Sequence, residues 1–448
     1  MRAKPAIVDR REFLSATGAG LTGLTLATRR GFAADATKPI KVAAVVTEFT
    51  YRSHAHVILE NFLEPYLFNG KRIVPGMEVV SLYLDQVPKG DIGREVAREY
   101  KIPIYPTIAG ALCRGGDELA VDAVLSIGEH GEYPVNKKGQ REYPRKRFFD
   151  EIVAVLVKNK IDVPVFNDKH LSYRWDWAKE MVETARRLRI PLMAGSSVPL
   201  AQRRPNIEVP IGTELVGAVS IHGGPMEAYD FHGLEVLQSI VEARKGGETG
   251  ISSVAFLEGD ALWKAADDGL WSPRLADAAM AAEIGSGKPT LRELVKTPPF
   301  NGQPIHGILL RYRDGFRGAV LRVGSSATRW NFACLAVGDD APRATSYYVG
   351  PWDNRNLFKA LSHAIQEHFR ERRAPYPVER TLLTTGALDA AMDSRLDHGK
   401  AIETPQLGFA YTPTDFSALR EMGATWKIVT PDTPQPVGID HTGRDFKA

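Results

Sequence analysis

The chain has 448 residues, 44% apolar and 25% charged, which leaves room for two or three domains of roughly 150 residues each. No low-complexity tract interrupts it, so the composition excludes a disordered, fibrous or disulfide-stapled protein. Lys and Arg number 57 against 54 Asp and Glu; the first 36 residues hold six and three of these, so the remainder balances at 51 against 51. That neutrality gives no electrostatic footprint for nucleic acid. Cys113 and Cys334 are the only cysteines, too few for a disulfide framework and without metal-type spacing, although one bridge between them stays open.

Residues 9–14 read DRREFL, with twin arginines at Arg10 and Arg11, and SATGAGLTGLTLA follows, a mildly apolar run of about a dozen residues as a signal h-region requires. Ala34-Asp35-Ala36 offers a small-residue cleavage site. Residues 1–36 therefore resemble a twin-arginine export signal, an address that is read and removed. A basic tail or a short anchor is the alternative, but the run is too short to span some 30 Å of hydrocarbon. The expectation is an exported protein, periplasmic or extracellular, with no integral membrane segment and a mature start near Thr37.

KVAAVVT (41–47) reads as a buried strand, and HAHVILENFLEPYL after it carries apolar residues at helical spacing. EVVSLYLD (78–85), VDAVLSIG (121–128), DVPVFND (162–168) and PLMAG (191–195) repeat the strand pattern, separated by the helical stretches DIGREVAREY, RFFDEIVAVLVKNK and DWAKEMVETARRLR. Apolar strands alternating with helices predict an α/β, doubly wound parallel sheet over residues 37–198, covered on both faces. Such sheets bind ligands beyond the carboxyl ends of their strands, so the loops after Thr47, Asp85, Gly128 and Asp168 are the places to look.

From residue 199 to 448 the pattern changes. A helix in FHGLEVLQSIVEARKG precedes the strand SSVAFLEG, and GILLRYRDGFRGAVLRVG reads as a hairpin turning at Asp314-Gly315. WNFACLAVG and SYYVG add strands, and a Pro-rich entry leads to a final long helix. The alternation predicts an α+β domain with a mostly antiparallel sheet open to solvent on one face.

The first turn, TEFTYRSHAH (47–56), stands where a dinucleotide-binding sheet carries G-x-G-x-x-G, and Thr47, Phe49 and Arg52 occupy the three glycine positions. Glycine is needed there because the backbone must turn tightly and approach a pyrophosphate. Arg52 offers a charge in place of the lost backbone contacts; equally, the turn no longer holds a dinucleotide in the usual way. Asp85 closes the second strand, where an acid accepts hydrogen bonds from a ribose.

The stretch DVPVFNDKHLSYRWDWAKEMVETARRLRIPLMAGSS, together with EVVSLYLDQVP, REVAREYKIPIYPTIAGAL and VDAVLSIGEHGEYP before it, resembles the Gfo/Idh/MocA family, the glucose-fructose oxidoreductase and inositol dehydrogenase group. The family's Glu-Lys-Pro strand end is Asp168-Lys169-His170 here, and GGPMEAYDFHGLEVLQSIVE resembles its glycine-rich entry to a histidine-bearing helix, placing that histidine at His232. The family's aspartate four residues earlier is Ala228, leaving Glu227 or Asp230 as substitutes. The match covers most of residues 40–260.

The resemblance implies hydride transfer between a tightly held NAD or NADP and a hydroxyl of a sugar or cyclitol, with Lys169 and His232 polarising or deprotonating that hydroxyl. It implies Thr47, Phe49, Arg52, Asp85 and Glu129 on the cofactor side, and self-association through the open sheet face. A lysine beside a cofactor's positive charge loses its proton more readily and histidine titrates near neutrality, so either can pass a proton. The alternatives are an interdomain ion pair for Lys169 and a core or cap histidine at His232.

A second constellation gathers His, acid and Tyr: Glu129, His130, Glu132 and Tyr133; Asp168 and His170; His54 and His56; His222, Glu227 and His232. By strand-end logic the first three groups share one edge of the sheet and the last faces them. Imidazole with carboxylate also suits a divalent metal, but no diagnostic spacing such as H-E-x-x-H is present, so no residue is assigned to a metal and the metal stays an alternative cofactor. A polar sugar pocket is the simpler reading, with Tyr133, Asp168, His170, Glu227 and Asp230 on the substrate and His130 beside Lys169 and His232 as acid or base. Arg141, Arg145 and Arg147 read as a solvated basic face. Three functions follow: an exported oxidoreductase; a lyase, hydrolase or isomerase that has lost the dinucleotide; and a noncatalytic sugar-binding protein.

Overall fold

Five apolar runs lie side by side in parallel, in the order Met77–Leu84, Ile40–Val46, Ala123–Ile127, Val165–Asp168, Leu192–Gly195. The computed structural model describes residues 38–440, so the expected export signal lies outside the described residues. The strands read as continuously apolar because both faces are covered. Helices His54–Leu63 and Asn354–Glu371 cover one face, with Val57, Phe62, Phe358, Leu361 and Ile365 in one core with Val42, Ala44 and Leu125. Helices Ile108–Leu112, Arg145–Asn159 and Trp175–Leu188 cover the other. This is the Rossmann-like half expected from the alternating pattern. The helix Asn354–Glu371 is absent from the sequence reading, because it joins a sheet whose strands end some way earlier in the chain, at Gly195.

Eight further strands form a second sheet, all antiparallel except that Arg317–Val323 runs parallel to Leu215–His222, while Tyr66–Phe68 and Lys71–Ile73 pair as a separate small hairpin. The expected hairpin joins Ile305–Tyr312 to Arg317–Val323, with Gly315 at φ +88° in its turn, a conformation glycine adopts without strain. Helices Ala228–Val241 and Val378–Leu396 pack on one face. The other face, expected to be open, carries Val219, Ile221, Ala319, Leu321 and Ala333, and these are covered by helices Gly259–Asp267 and Pro273–Ile284. Both faces of these strands are apolar, so both must be buried. The surface invoked for self-association is therefore occupied by the chain itself over this area.

Helix Val378–Leu396 also packs on Trp175–Leu188 and so bridges the two sheets. A methyl added at its Gly386 would lie 2.3 Å from Leu407 and 2.7 Å from Trp175, so glycine permits that close approach. Cys113 and Cys334 are both buried and free, so no bridge links them. No helix among the described residues is long and apolar enough to cross a membrane.

Candidate functional site

The carboxyl ends of the parallel strands deliver the site. Gly128-Glu129-His130 follows Ala123–Ile127, Lys169 follows Val165–Asp168, and the turn after Ile40–Val46 ends at His54, the first residue of its helix. These meet the first turns of helix Ala228–Val241 and the strand Trp330–Ala336 at a cavity of about 400 Å³ lined by Arg52, His54, Glu129, His130, Lys169, Tyr229, His232, Trp330 and Asp353. Four of these non-glycine residues have left-handed backbones: Arg52 (φ 60°), His130 (φ 70°), Lys169 (φ 61°) and Asp353 (φ 51°). The same conformation closes helices at Lys160, Arg189 and Arg372, but here four such residues, each less favourable than glycine, meet at one cavity.

Lys169 is 4% exposed, and its Nζ donates to Glu129 Oε1 at 2.8 Å. The Glu129 Oε2 is bound by Arg145, which opens helix Arg145–Asn159 and is fully buried. The reading of Arg145 as part of a solvated face is thus corrected: it meets a buried carboxylate, and a charge with such a partner can afford to leave water. Burial alone would push the Glu129 carboxyl up, but Lys169 and Arg145, with His54 and His130, hold it well below the usual range. The ion pair of Lys169 lies within one strand-end cluster rather than between domains, and Lys169 still lines the cavity.

Arg145 Nη1 also donates to His170 Nε2 at 2.9 Å, so His170 sits behind Lys169 as a support. Burial, then the Arg145 charge, hold His170 well below its usual pKa. Glu227, with φ 65°, places Oε1 3.6 Å from His170 Nε2, and that oxygen has no hydrogen-bond partner among the described residues. Burial raises its pKa to about 7, against the pull of Arg145.

Three imidazoles face the cavity. His54 Nδ1 lies 2.6 Å from Asp168 Oδ2, His232 Nδ1 lies 2.6 Å from Ser196 Oγ, and His130 packs edge-on to His54 at 5.0 Å between centroids. Burial lowers the His130 pKa to about 4, with His54 adding to the shift. Tyr229 stacks on Trp330 at 4.9 Å and Gly224 makes room for it, since a methyl there would fall 1.8 Å from the tyrosine ring.

Asp230 turns away from this cavity. Its Oδ1 accepts from His222 Nε2 at 2.9 Å and His306 Nε2 at 2.7 Å, all three side chains being buried. Burial alone would raise Asp230, but His306 and His222 hold its carboxyl far below the usual range. Among the described residues these three bring metal-type ligand atoms together, yet the separations are those of hydrogen bonds, whereas a tetrahedral ion sets its ligands roughly 3.3 Å apart. His222, expected to face the cleft beside His232, lies behind Trp330, whose ring it stacks at 6.1 Å.

The dinucleotide side fits poorly. Thr47 and Phe49 are buried, and Thr47 Oγ1 donates to the Glu129 carbonyl at 2.5 Å. The amides of Thr50, Arg52, Ser53 and His56, in the turn where a pyrophosphate would be cradled, already donate to Ser53 Oγ, His56 Nδ1, the Thr50 carbonyl and Ser53 Oγ. Arg52 pairs with Asp353 at 3.1 Å, so its charge is engaged within the chain. Asp85 is committed as well: Tyr83 and Tyr133 each donate to it at 2.6 Å, and Arg147 at 2.5 Å. Tyr133 therefore serves Asp85 rather than the cavity, and Gln86 ties down the same loop by donating to the Glu132 carbonyl at 2.8 Å. The residues present do not form the usual dinucleotide cradle.

Of the residues singled out in sequence, the cavity thus gathers Lys169, His130, His232, Glu129, Arg52 and His54, with Asp168, His170 and Glu227 one contact behind. Thr47, Phe49, Asp85, Tyr133 and Asp230 are engaged elsewhere. Tyr229, Trp330, Ser196 and Asp353 are not singled out in sequence: Ser196 and Tyr229 lie inside stretches read for other residues, and Trp330 and Asp353 come from the distant second half of the chain.

No protein-family model matches the chain, and no curated protein does. Among solved structures it is similar to GenD2 from gentamicin A biosynthesis in complex with NAD, at 11% identity, covering 86% of this chain and 99% of that one with a TM-score of 0.50. The chain shares that fold. Further similarities are to myo-inositol dehydrogenase from Lactobacillus casei in complex with NAD(H) and myo-inositol (14% identity, 84% and 99% covered, TM-score 0.49) and to a probable dehydrogenase from Thermotoga maritima (10%, 82% and 100%, 0.47).

Proposed function

We propose that the protein is an exported enzyme that performs acid–base chemistry on a hydroxyl-rich small molecule, a sugar or cyclitol, in the Lys169 cavity, with no dinucleotide in the groove beside it. The observation that carries this is the convergence of four strained, non-glycine residues on one cavity that also holds a paired ammonium and three imidazoles. About 400 Å³ suits a ligand of monosaccharide size. The imidazoles and Lys169 offer hydrogen bonds to hydroxyls, and the stacked Tyr229–Trp330 pair adds an aromatic wall. The filled phosphate turn and the engaged Asp85 support the loss of the nucleotide.

An oxidoreductase with a tightly held nicotinamide is the second reading, favoured by the fold shared with a protein described in complex with NAD. Protein purified after export separates the two. The first reading expects no NAD or NADP released on denaturation, and a thermal shift with one member of a monosaccharide and cyclitol panel that Lys169→Ala abolishes. One nicotinamide per chain establishes the second reading and refutes the first. Export is tested by exchanging Arg10 and Arg11 for lysine, which should keep the protein inside the cell; unchanged export would remove the twin-arginine reading.

A further inference from the structure

His54 is fixed in a way that settles where its proton sits. Its Nδ1 lies 2.6 Å from Asp168 Oδ2, and Asp168 is 1% exposed. A carboxylate can only accept, so the proton in that contact belongs to Nδ1, and in the neutral ring the lone pair is left on Nε2. The ring is held edge-on to Phe358 at 4.5 Å and to His130 at 5.0 Å, and the side chain keeps 10% of its surface exposed where it lines the cavity.

The same argument gives the opposite answer for His232. Ser196 Oγ accepts from the Val198 amide at 3.1 Å and lies 2.6 Å from His232 Nδ1. The hydroxyl has one proton to give and, beyond the Val198 amide, one lone pair left; Nδ1 is the acceptor its proton meets among the described residues, and with Ser196 donating there the ring proton of His232 sits on Nε2. Two imidazoles of opposite tautomer thus line one cavity, one with a free lone pair and one with a free N–H. Lys169 cannot play the first part while its ammonium is held by Glu129 at 2.8 Å.

We infer that His54, oriented by Asp168, is the proton-accepting group of this cavity, and that His232, oriented by Ser196, opposes it as a hydrogen-bond donor. The inference rests on reading the cavity as the site of a hydroxyl-bearing ligand. In the step it describes, the ligand's O–H bond breaks, its proton passes to His54 Nε2, and the electron pair stays on the ligand oxygen. Asp168 stabilises the imidazolium that forms, while His232 Nε2–H and the Lys169 ammonium stabilise the oxygen anion. Asp168 and Ser196 are positioning residues.

Nitrogen-15 NMR of the imidazoles in the full chain tests this without any substrate, with His54→Gln and His232→Gln supplying the assignments. The expected result is a proton on Nδ1 of His54 and on Nε2 of His232. Asp168→Asn should turn His54 to the other tautomer, and Ser196→Ala should release His232 to a mixture that Ser196→Thr restores. Diethyl pyrocarbonate, which acylates an accessible imidazole lone pair, should label His54 and spare His232, and Asp168→Asn should lose that label. A proton on Nε2 of wild-type His54, or labelling of His232 in place of His54, overturns the inference even if a variant fails to fold. If no polyol binds but the tautomers are as assigned, the proposed function falls and the pair of oriented histidines stands; if a polyol binds and the tautomers are reversed, the inference alone falls.

Discussion

Lys169→Met removes one of two cations from a carboxylate that has almost no water around it. The side chains of Lys169 and Glu129 are 5% and 6% exposed, and Nζ and Oε1 are 2.8 Å apart. Removing one partner of such a pair costs about 3–5 kcal/mol when the other charge is left alone. Arg145 still binds Glu129 here, so the expected cost is smaller, about 2–3 kcal/mol. With an unfolding entropy of about 2.1 cal/mol/K per residue over about 400 residues, the melting temperature should fall by about 3 °C, measured by calorimetry at neutral pH. The acid limb should respond too. The Glu129 carboxyl is held well below its usual range, burial pushing it up and Lys169 and Arg145 prevailing, so its stabilising contribution is present above the unfolded carboxylate pKa and is lost as the pH falls toward the folded one. Without Lys169, Glu129 takes up its proton at a higher pH, and acid unfolding should begin earlier. Adding Glu129→Gln should cost less than the two single changes summed. Additive effects, or an unchanged melting temperature with an unchanged acid limb, would refute the view that a desolvated ion pair fixes this ammonium at the cavity.

Glu227, raised to about 7 by burial, carries the opposite sign. The folded state keeps a proton that the unfolded chain has released, so its penalty is absent below the unfolded pKa, grows as the pH rises and is complete above about 7. Glu227→Gln should therefore be more stable than wild type at about pH 8, by about 3 kcal/mol, and no more stable at about pH 4; equal gains at both would rule out this titration. His130, lowered to about 4 by burial and then by His54, should stay neutral in an NMR titration down to that range, and a midpoint near the ordinary histidine value would show that the loop is open to water. In Gly224→Ala the new methyl, 1.8 Å from the Tyr229 ring, must push that ring off Trp330, costing about 1–3 kcal/mol and abolishing any polyol-induced thermal shift; an unchanged shift would remove the Tyr229–Trp330 wall from the binding site.

Much of this molecule is written in local order. Runs such as VDAVLSIG and DVPVFND are apolar throughout because a parallel strand is buried on both faces, and the periodicity between them has no stable place except on helices covering that sheet. Strand-end logic then put Glu129, His130, Asp168 and Lys169 on one edge, since in such a sheet the chain leaves every strand on the same side. What the sequence by itself determined was therefore the Rossmann-like half, the hairpin at Asp314-Gly315 and the missing glycines at Thr47, Phe49 and Arg52. Only the tertiary structure decided which charges were spoken for. Arg145 looks like one of several surface arginines until its helix begins against Glu129, and Asp85 looks free until Tyr83, Tyr133 and Arg147 converge on it. Ser196 and Tyr229 sit inside stretches that are read for their neighbours, and Trp330 at the start of a strand read only as a strand. Periodicity reports burial along a chain, but the partner of a charge or the tautomer of an imidazole depends on atoms a few ångströms away that arrive from distant segments.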